Sequence, residues 1–196
     1  MKKIIQNLKD GNLVIIPTDT VYGISCDALN REAVEKVFFA KKRENKPLLI
    51  LVSSVDMLKD YVSEINDLEK KLLDRFSPGM LTILFKKNNN IFDEITCGSE
   101  YIGIRIPDNT LLLDVINELG NPIVSTSANI SGEEVITNVN MINDELKKHI
   151  SYIYDDGEKT NISSTLVKVE NNKIKILREG VLADIIKKEY NEYMGD

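Results

Sequence analysis

Cationic side chains and small hydroxyls recur beside apolar runs in this sequence, a pairing suited to gathering anions. Pro17-Thr18-Asp19-Thr20-Val21-Tyr22-Gly23 directly follows Leu13-Val14-Ile15-Ile16. Hydroxyls at the carboxyl end of a strand stand where open α/β sheets place ligands; the same residues also make a plain capped turn. Lys41, Lys42, Arg43 and Lys46 put four cations within six residues, between a helical pattern and an apolar run. They read as a phosphate clamp, with Arg43 the planar fork and Lys41 the point charge, or as charge complementing a helix C-terminus. Arg105 alternates with Ile104 and Ile106, so on a strand it points away from both and needs an ion pair or an anionic ligand. Val124-Ser125-Thr126-Ser127-Ala128-Asn129-Ile130-Ser131-Gly132 is dense in small donors. Such a loop lets backbone N–H groups and hydroxyls approach an anion closely, although a surface turn has the same composition. Ser163-Ser164-Thr165 enters one apolar run and Arg178-Glu179-Gly180 leaves another.

Composition removes several alternatives. The single histidine, His149, leaves no Ser-His-Asp triad and no multi-histidine metal site. Cys26 and Cys97 form neither a disulfide framework nor a C-x-x-C pair, which suits a reducing cytoplasm. Neither a G-x-x-x-x-G-K-[ST] loop nor a G-x-G-x-x-G fingerprint occurs. The formal net charge of −6 argues against a surface built for duplex nucleic acid, yet a local basic cluster can still dominate a cleft. No apolar run approaches the ~18–20 residues of a membrane span, and the N-terminal residues are too polar for a secretory signal.

The elements that must position these residues are strands alternating with helices. Short β-branched runs predict strands at Leu13–Ile16, Leu48–Val52, Leu81–Phe85, Ile102–Ile106, Pro122–Thr126, Tyr152–Tyr154, Thr165–Val169 and Ile174–Leu177. Helical spacing predicts a first helix ending at Gly11, one capped by Asn30, two over Val55–Val62 and Leu68–Phe76, and one over Leu111–Leu119 stopped by Gly120. Weaker patterns cover Ile142–Ile150 and Leu182–Tyr190. Alternation of this kind predicts an α/β fold. A hairpin across Asn171-Asn172 makes the sheet mixed.

Seven segments, in order, carry a joint pattern: PTDTVYG, KKRENKPL, PGMLTILF, IGIRIP, STSANISG, SSTLV and LREG. From about Gly11 to about Gly180 the chain resembles the YrdC/TsaC family of threonylcarbamoyl-AMP synthases. The resemblance implies a twisted, open, mixed α/β sheet with flanking helices and a concave basic cleft. It implies one domain over 1–196, with a core of about 1–180 and a short C-terminal helix over 181–196. Lys41, Arg43, Ser127 and Asn129 match the family's Lys-x-Arg and Ser-x-Asn signatures, which implies catalytic and ATP-binding roles, with Arg178 also at ATP. Thr18, Arg105, Ser125 and Ser164 match positions near threonine or the adenylate; Thr20 and Tyr22 go with them as members of the first motif. The implied reaction is a nucleotidyl transfer from ATP to L-threonine and bicarbonate that feeds N6-threonylcarbamoyladenosine formation in tRNA. Mg²⁺ is expected to travel on ATP, with no metal cage of protein ligands. The expected partners are a downstream tRNA threonylcarbamoyl-transferase complex and, weakly, tRNA itself.

The chain departs from the family where many members carry histidine: Leu51 stands at one such position and Asp108-Asn109 at another. Its end at Asp196 matches the short branch, which lacks a C-terminal extra domain. A YciO-like branch shares the fold but departs in the basic motif. An RNA-binding module using the same basic cleft is the alternative from another class; the acidic balance and missing tryptophan weigh against it. A carbamoyl-transfer domain of the hydrogenase-maturation type belongs in a much longer chain.

Overall fold

The computed structural model describes residues 1–160 and 162–195; Asp196, the last residue of the expected C-terminal helix, lies outside them. In chain order the elements are α1 (Lys2–Lys9), β1 (Leu13–Pro17), β2 (Tyr22–Asp27), α2 (Arg31–Lys41), β3 (Leu49–Leu51), α3 (Val55–Lys59), α4 (Asp67–Phe76), β4 (Leu81–Lys86), α5 (Asp93–Thr96), β5 (Tyr101–Arg105), α6 (Thr110–Leu119), β6 (Ile123–Ser127), α7 (Asp144–Lys147), β7 (Ile150–Ile153), β8 (Thr165–Glu170), β9 (Lys173–Arg178) and α8 (Ala183–Glu189). Local chemistry sets the helix ends. Asn30 accepts from Ala33 N at the start of α2, and Asn66 with Glu69 forms a reciprocal capping box on α4. Asn109 caps α6, which stops at Gly120 with φ 78.

The nine strands form one mixed sheet in the order β7-β1-β2-β6-β3-β5-β4-β8-β9. The expected hairpin joins β8 to β9 antiparallel, with Asn171 and Asn172 at φ 51 and 57, the left-handed pair a two-residue turn needs. The sequence pattern does not predict β2. Its residues Tyr-Gly-Ile-Ser-Cys-Asp lack an aliphatic run, because it sits between β1 and β6 and packs closely on both neighbours. A Cβ added at Gly23 would lie 2.6 Å from Ser125 Oγ. Two predicted helices are shorter than their patterns. α3 stops at Lys59, and the Ile142–Ile150 pattern resolves into α7 followed by β7, which begins at Ile150 by pairing parallel with β1.

Each strand alternates between two different surroundings. On the back face, Ile15, Ile24, Ile50, Ile83, Ile104, Val124 and Val167 meet Val34 and Val37 of α2, Leu72 and Phe76 of α4, and Ile186 of α8 in one apolar core. Each such side chain contributes about 1.5–3 kcal/mol by leaving water. On the front face, α1 and α6 bury Val14, Ile16, Leu51 and Ile123 under Ile4, Ile5, Leu8, Leu112, Val115 and Ile116. That cover stops part-way across the sheet. The remaining front face, over β6, β3, β5, β4 and β8, is left open as a cleft.

Gly180 packs against the backbone of Ser163 and Ser164, two of the residues that line this cleft. A Cβ there would fall 2.4 Å from Ser163 O and 2.5 Å from both Ser164 C and Thr165 N, all backbone atoms. Gly180→Ala is expected to lower stability by about 1–3 kcal/mol through overpacking, read as a shift of the denaturant midpoint. An unchanged midpoint would show that the chain passes Ser163 less tightly than described.

Candidate active site

The cleft holds about 490 Å³, within the range of small-ligand sites. Arg43, Arg105 and Arg178 line it, together with the hydroxyls of Thr18, Thr20, Thr82, Ser125, Thr126, Ser127 and Ser164. No carboxylate occurs among the described lining residues. Sheet register explains the set. Gly23 pairs with Ser127, Leu51 with Arg105, Thr82 with Leu166, and Leu166 with Arg178, so alternate residues from seven strands share one surface. The ligand-facing groups therefore lie on a sheet face rather than at strand carboxyl ends, as the sequence pattern had placed them.

The β1–β2 turn is built around Thr18. Its Oγ1 accepts from Thr20 N and Val21 N, both at 3.0 Å, and lies 2.7 Å from Thr20 Oγ1. This turn delivers Asp19 to the Arg105 guanidinium. The two form an ion pair whose side chains are 8% and 6% exposed. Arg105 also donates from Nε to Gly79 O at 2.9 Å and from Nη1 to Thr20 Oγ1 at 3.3 Å. Both sequence alternatives for Arg105 are thus met in part: it lines the cleft and holds an ion pair. Across the cleft, Arg178 donates to Ser164 O at 3.1 Å and Ser164 Oγ at 2.8 Å, and Ser164 Oγ lies 2.9 Å from Thr82 Oγ1. Burial, and then the charge of nearby Arg105, push the Arg178 guanidinium below its ordinary value. Arg43 is lowered by burial as well. It folds onto its own loop, donating to Lys46 O and Pro47 O at 2.7 Å each. The left-handed Lys42 and Asn45, at φ 48 and 46, bend that loop over the cleft.

Three expected site residues stand elsewhere. Lys41, expected to face a phosphate, is 1% exposed. Its Nζ donates to Ser127 O, to Asn129 O at 2.6 Å and to Asn129 Oδ1 at 3.3 Å. An ammonium has three N–H donors, and all of them have protein oxygens. Asn129 is buried too: Ser127 Oγ donates to its Oδ1 at 2.5 Å, and its Nδ2 donates to Glu133 O at 2.6 Å. Both residues brace the loop that presents Ser127 instead of lining the cleft. Tyr22 points to the back of the sheet, where its hydroxyl donates to Gly157 O at 2.6 Å and accepts from Asp156 N at 3.0 Å.

A family model named Sua5_yciO_yrdC and described as "Telomere recombination" matches residues 6–180. A Methanocaldococcus jannaschii protein provisionally named a threonylcarbamoyl-AMP synthase is 46% identical over 92% of this chain and 87% of its own length. The Bacillus subtilis threonylcarbamoyl-AMP synthase is 34% identical over 88% of this chain and 51% of its length. The crystal structure of Pyrococcus abyssi Sua5 complexed with L-threonine superposes with a TM-score of 0.91 at 31% identity, covering 98% of this chain and 58% of that one. The chain belongs to the Sua5/YciO/YrdC family. It spans most of the Methanocaldococcus jannaschii relative's length and little more than half of the other two.

Within this family fold the departures at Leu51 and Asp108-Asn109 have structural explanations. Leu51 lines the cleft while anchoring in the core under α1 and α6. Asn109 is the α6 cap, and Asp108 N donates to Asp19 Oδ2 at 3.2 Å. Sequence reasoning missed Asp19 and Thr82. Asp19 carries a signal, being the one acid in the first motif; Thr82 has none, lying inside an ordinary apolar strand. No group of three or more metal-ligating side chains occurs among the described residues.

Burial, reinforced by Arg43, brings the Lys41 ammonium down to about 7. The folded chain then binds fewer protons here than the unfolded chain between about pH 7 and the ordinary lysine range near ~10.4, so stability rises with pH across that window. Lys41→Met removes the titrating group. The wild-type stability minus that of the variant is expected to climb from about pH 7 to about pH 9.5 in chemical denaturation; a flat difference would exclude a depressed ammonium.

Proposed function

We propose that the cleft makes threonylcarbamoyl-AMP and pyrophosphate from L-threonine, bicarbonate and ATP, as a precursor of N6-threonylcarbamoyladenosine in tRNA. The observation that carries this reading is one carboxylate-free sheet face lined by three guanidinium groups and a row of hydroxyls. The names of the relatives and the threonine complex of the Pyrococcus abyssi protein support it.

The chemistry asks for anionic fragments to be gathered and for negative charge to be offset at phosphorus. The threonine ammonium loses a proton to solvent, and the amine attacks bicarbonate, where the expelled hydroxide and the second amine proton leave as water, or attacks CO₂ released from it, where that proton goes to solvent. A C–N bond forms and N-carboxy-threonine results. Its carbamate oxygen attacks the α-phosphorus of ATP; the bond to the bridging oxygen breaks, and pyrophosphate leaves with the electron pair. In this reading Arg105, Thr18, Thr20, Ser125 and Ser164 hold the amino acid. Arg43, Arg178 and Ser127 face the nucleotide, with Lys41 and Asn129 setting the Ser127 loop from behind. Mg²⁺ enters as part of the substrate, held by phosphate oxygens and water; the hydroxyl and guanidinium lining offers no hard anionic cage for it. The enzyme works in the cytoplasm and passes a labile adenylate to a tRNA-modifying acceptor complex, with a weak tRNA contact of its own at most.

The decisive test mixes the protein with ATP, bicarbonate and threonine, and follows the adenylate by mass with each reactant omitted in turn. Product that forms without threonine, or none at all, overturns the reading. Arg43→Ala is expected to slow turnover by about 10²–10³-fold with its thermal melt retained, the scale seen when one preorganised donor is lost. Wild-type turnover in that variant would remove Arg43 from the nucleotide site. Threonine is expected to be used over serine by about 10–200-fold, the worth of one methyl group; equal kcat/KM values would rule out a methyl-reading pocket.

A further inference from the structure

Asp19 does not line the cleft, yet it touches the cation that dominates one end of it. Its side chain is 8% exposed. One carboxylate oxygen accepts from Arg105 Nη2 and the other from Asp108 N at 3.2 Å. Two separate segments then fix the guanidinium: the β1–β2 turn through Asp19 and Thr20, and Gly79 ahead of β4. Nε and one N–H on each terminal nitrogen take these partners, which leaves one N–H on each terminal nitrogen without a protein acceptor among the described residues. A planar fork held this way has no freedom to turn.

We infer that Asp19 is a positioning residue for amino-acid binding, holding the Arg105 plane so that its two remaining N–H groups meet the substrate carboxylate. This rests on the assignment of Arg105 to the amino acid in the reading above. Asp19 also offsets the charge of Arg105, which would otherwise face Arg178 across the cleft; Arg178 is lowered first by its burial and then by that neighbouring charge. The amide of asparagine cannot replace the carboxylate in full. Its oxygen can accept from Arg105, but its NH₂ would then confront the Asp108 N–H, donor to donor.

Threonine binding by calorimetry and the KM values for threonine and ATP test the inference on wild type, Asp19→Asn and Asp19→Glu. Asp19→Asn is expected to weaken threonine binding and raise its KM by about tenfold, the scale of one charge-assisted hydrogen bond, with the ATP KM unchanged. Asp19→Glu, which restores the carboxylate, is expected to recover part of the loss. Unchanged threonine affinity, or equal rises in both KM values, overturns the inference in favour of a merely structural acid. Should Asp19→Asn fail to fold, Asp108→Pro compared with Asp108→Ala, which loses the same carboxylate but keeps the N–H donor to Asp19, is read the same way: weaker threonine binding at constant ATP KM in Asp108→Pro alone supports the inference, and no difference between the two overturns it. A wild-type protein that binds threonine but makes no adenylate would sink the functional reading alone.

Discussion

The register of the nine-stranded sheet is the constraint on which the site depends. Side chains alternate with a period of two, so a slip of one residue in any strand would exchange its two faces. In β5 such a slip would bury Arg105 among the isoleucines of the back face and put Ile104 in the cleft. The aliphatic back face resists that exchange. Ile83, Ile104, Val124 and Val167 gain their burial only in the observed register, and an unpaired guanidinium there would carry a large desolvation penalty. The core therefore holds the chemistry in place, because the same alternation that buries the isoleucines raises the serines, threonines and arginines toward the ligand.

A second constraint is electrostatic. A cleft built from three arginines within an acidic chain must keep those charges oriented and apart. The structure does so with oxygens of the protein itself. Arg43 is tied by carbonyls of its own loop, Arg178 by Ser164, and Arg105 by Asp19 and Gly79. Lys41 is the extreme case. It is fully enclosed, and its ammonium joins the end of α2 to the Ser127–Asn129 turn while Ser131 N bonds back to its carbonyl. Buried charge of this kind is weak evidence for stability. Its effect here is to define the position of one loop, and that loop carries Ser127.

Much of this was legible in the sequence. The strand pattern, the Asn caps and the Asn171-Asn172 turn were readable because each is a local rule with a local signature. The cleft residues could be named from their motifs, and Arg43, Arg105, Ser125, Ser127, Ser164 and Arg178 all line one surface. The depth of each residue was not readable. Lys41 and Arg43 are two positions apart in one basic run, but the chain turns left-handed at Lys42 between them, so one cation goes inward and the other outward. Tyr22 and Gly23 likewise fall on opposite sides of β2, a strand whose small residues hide its periodicity. Composition reports which groups are present; the face each one occupies is decided by pairing partners distant in sequence.

The acidic surface and the cationic cleft are two parts of one arrangement. Acidic side chains such as Glu170, Glu179 and Glu189 pair with surface lysines or arginines in exposed contacts, which are worth little and are screened by salt. Among the described residues only Asp19 brings a carboxylate to a cleft cation, and it does so from behind, buried against Arg105. A carboxylate on the open side would occupy the fork that an anionic substrate needs and would repel the substrate directly. Set behind the guanidinium, the same charge stabilises and aims the arginine while leaving its forward N–H groups available. The position of that one acid reconciles a buried cation with a cleft still able to bind an anion.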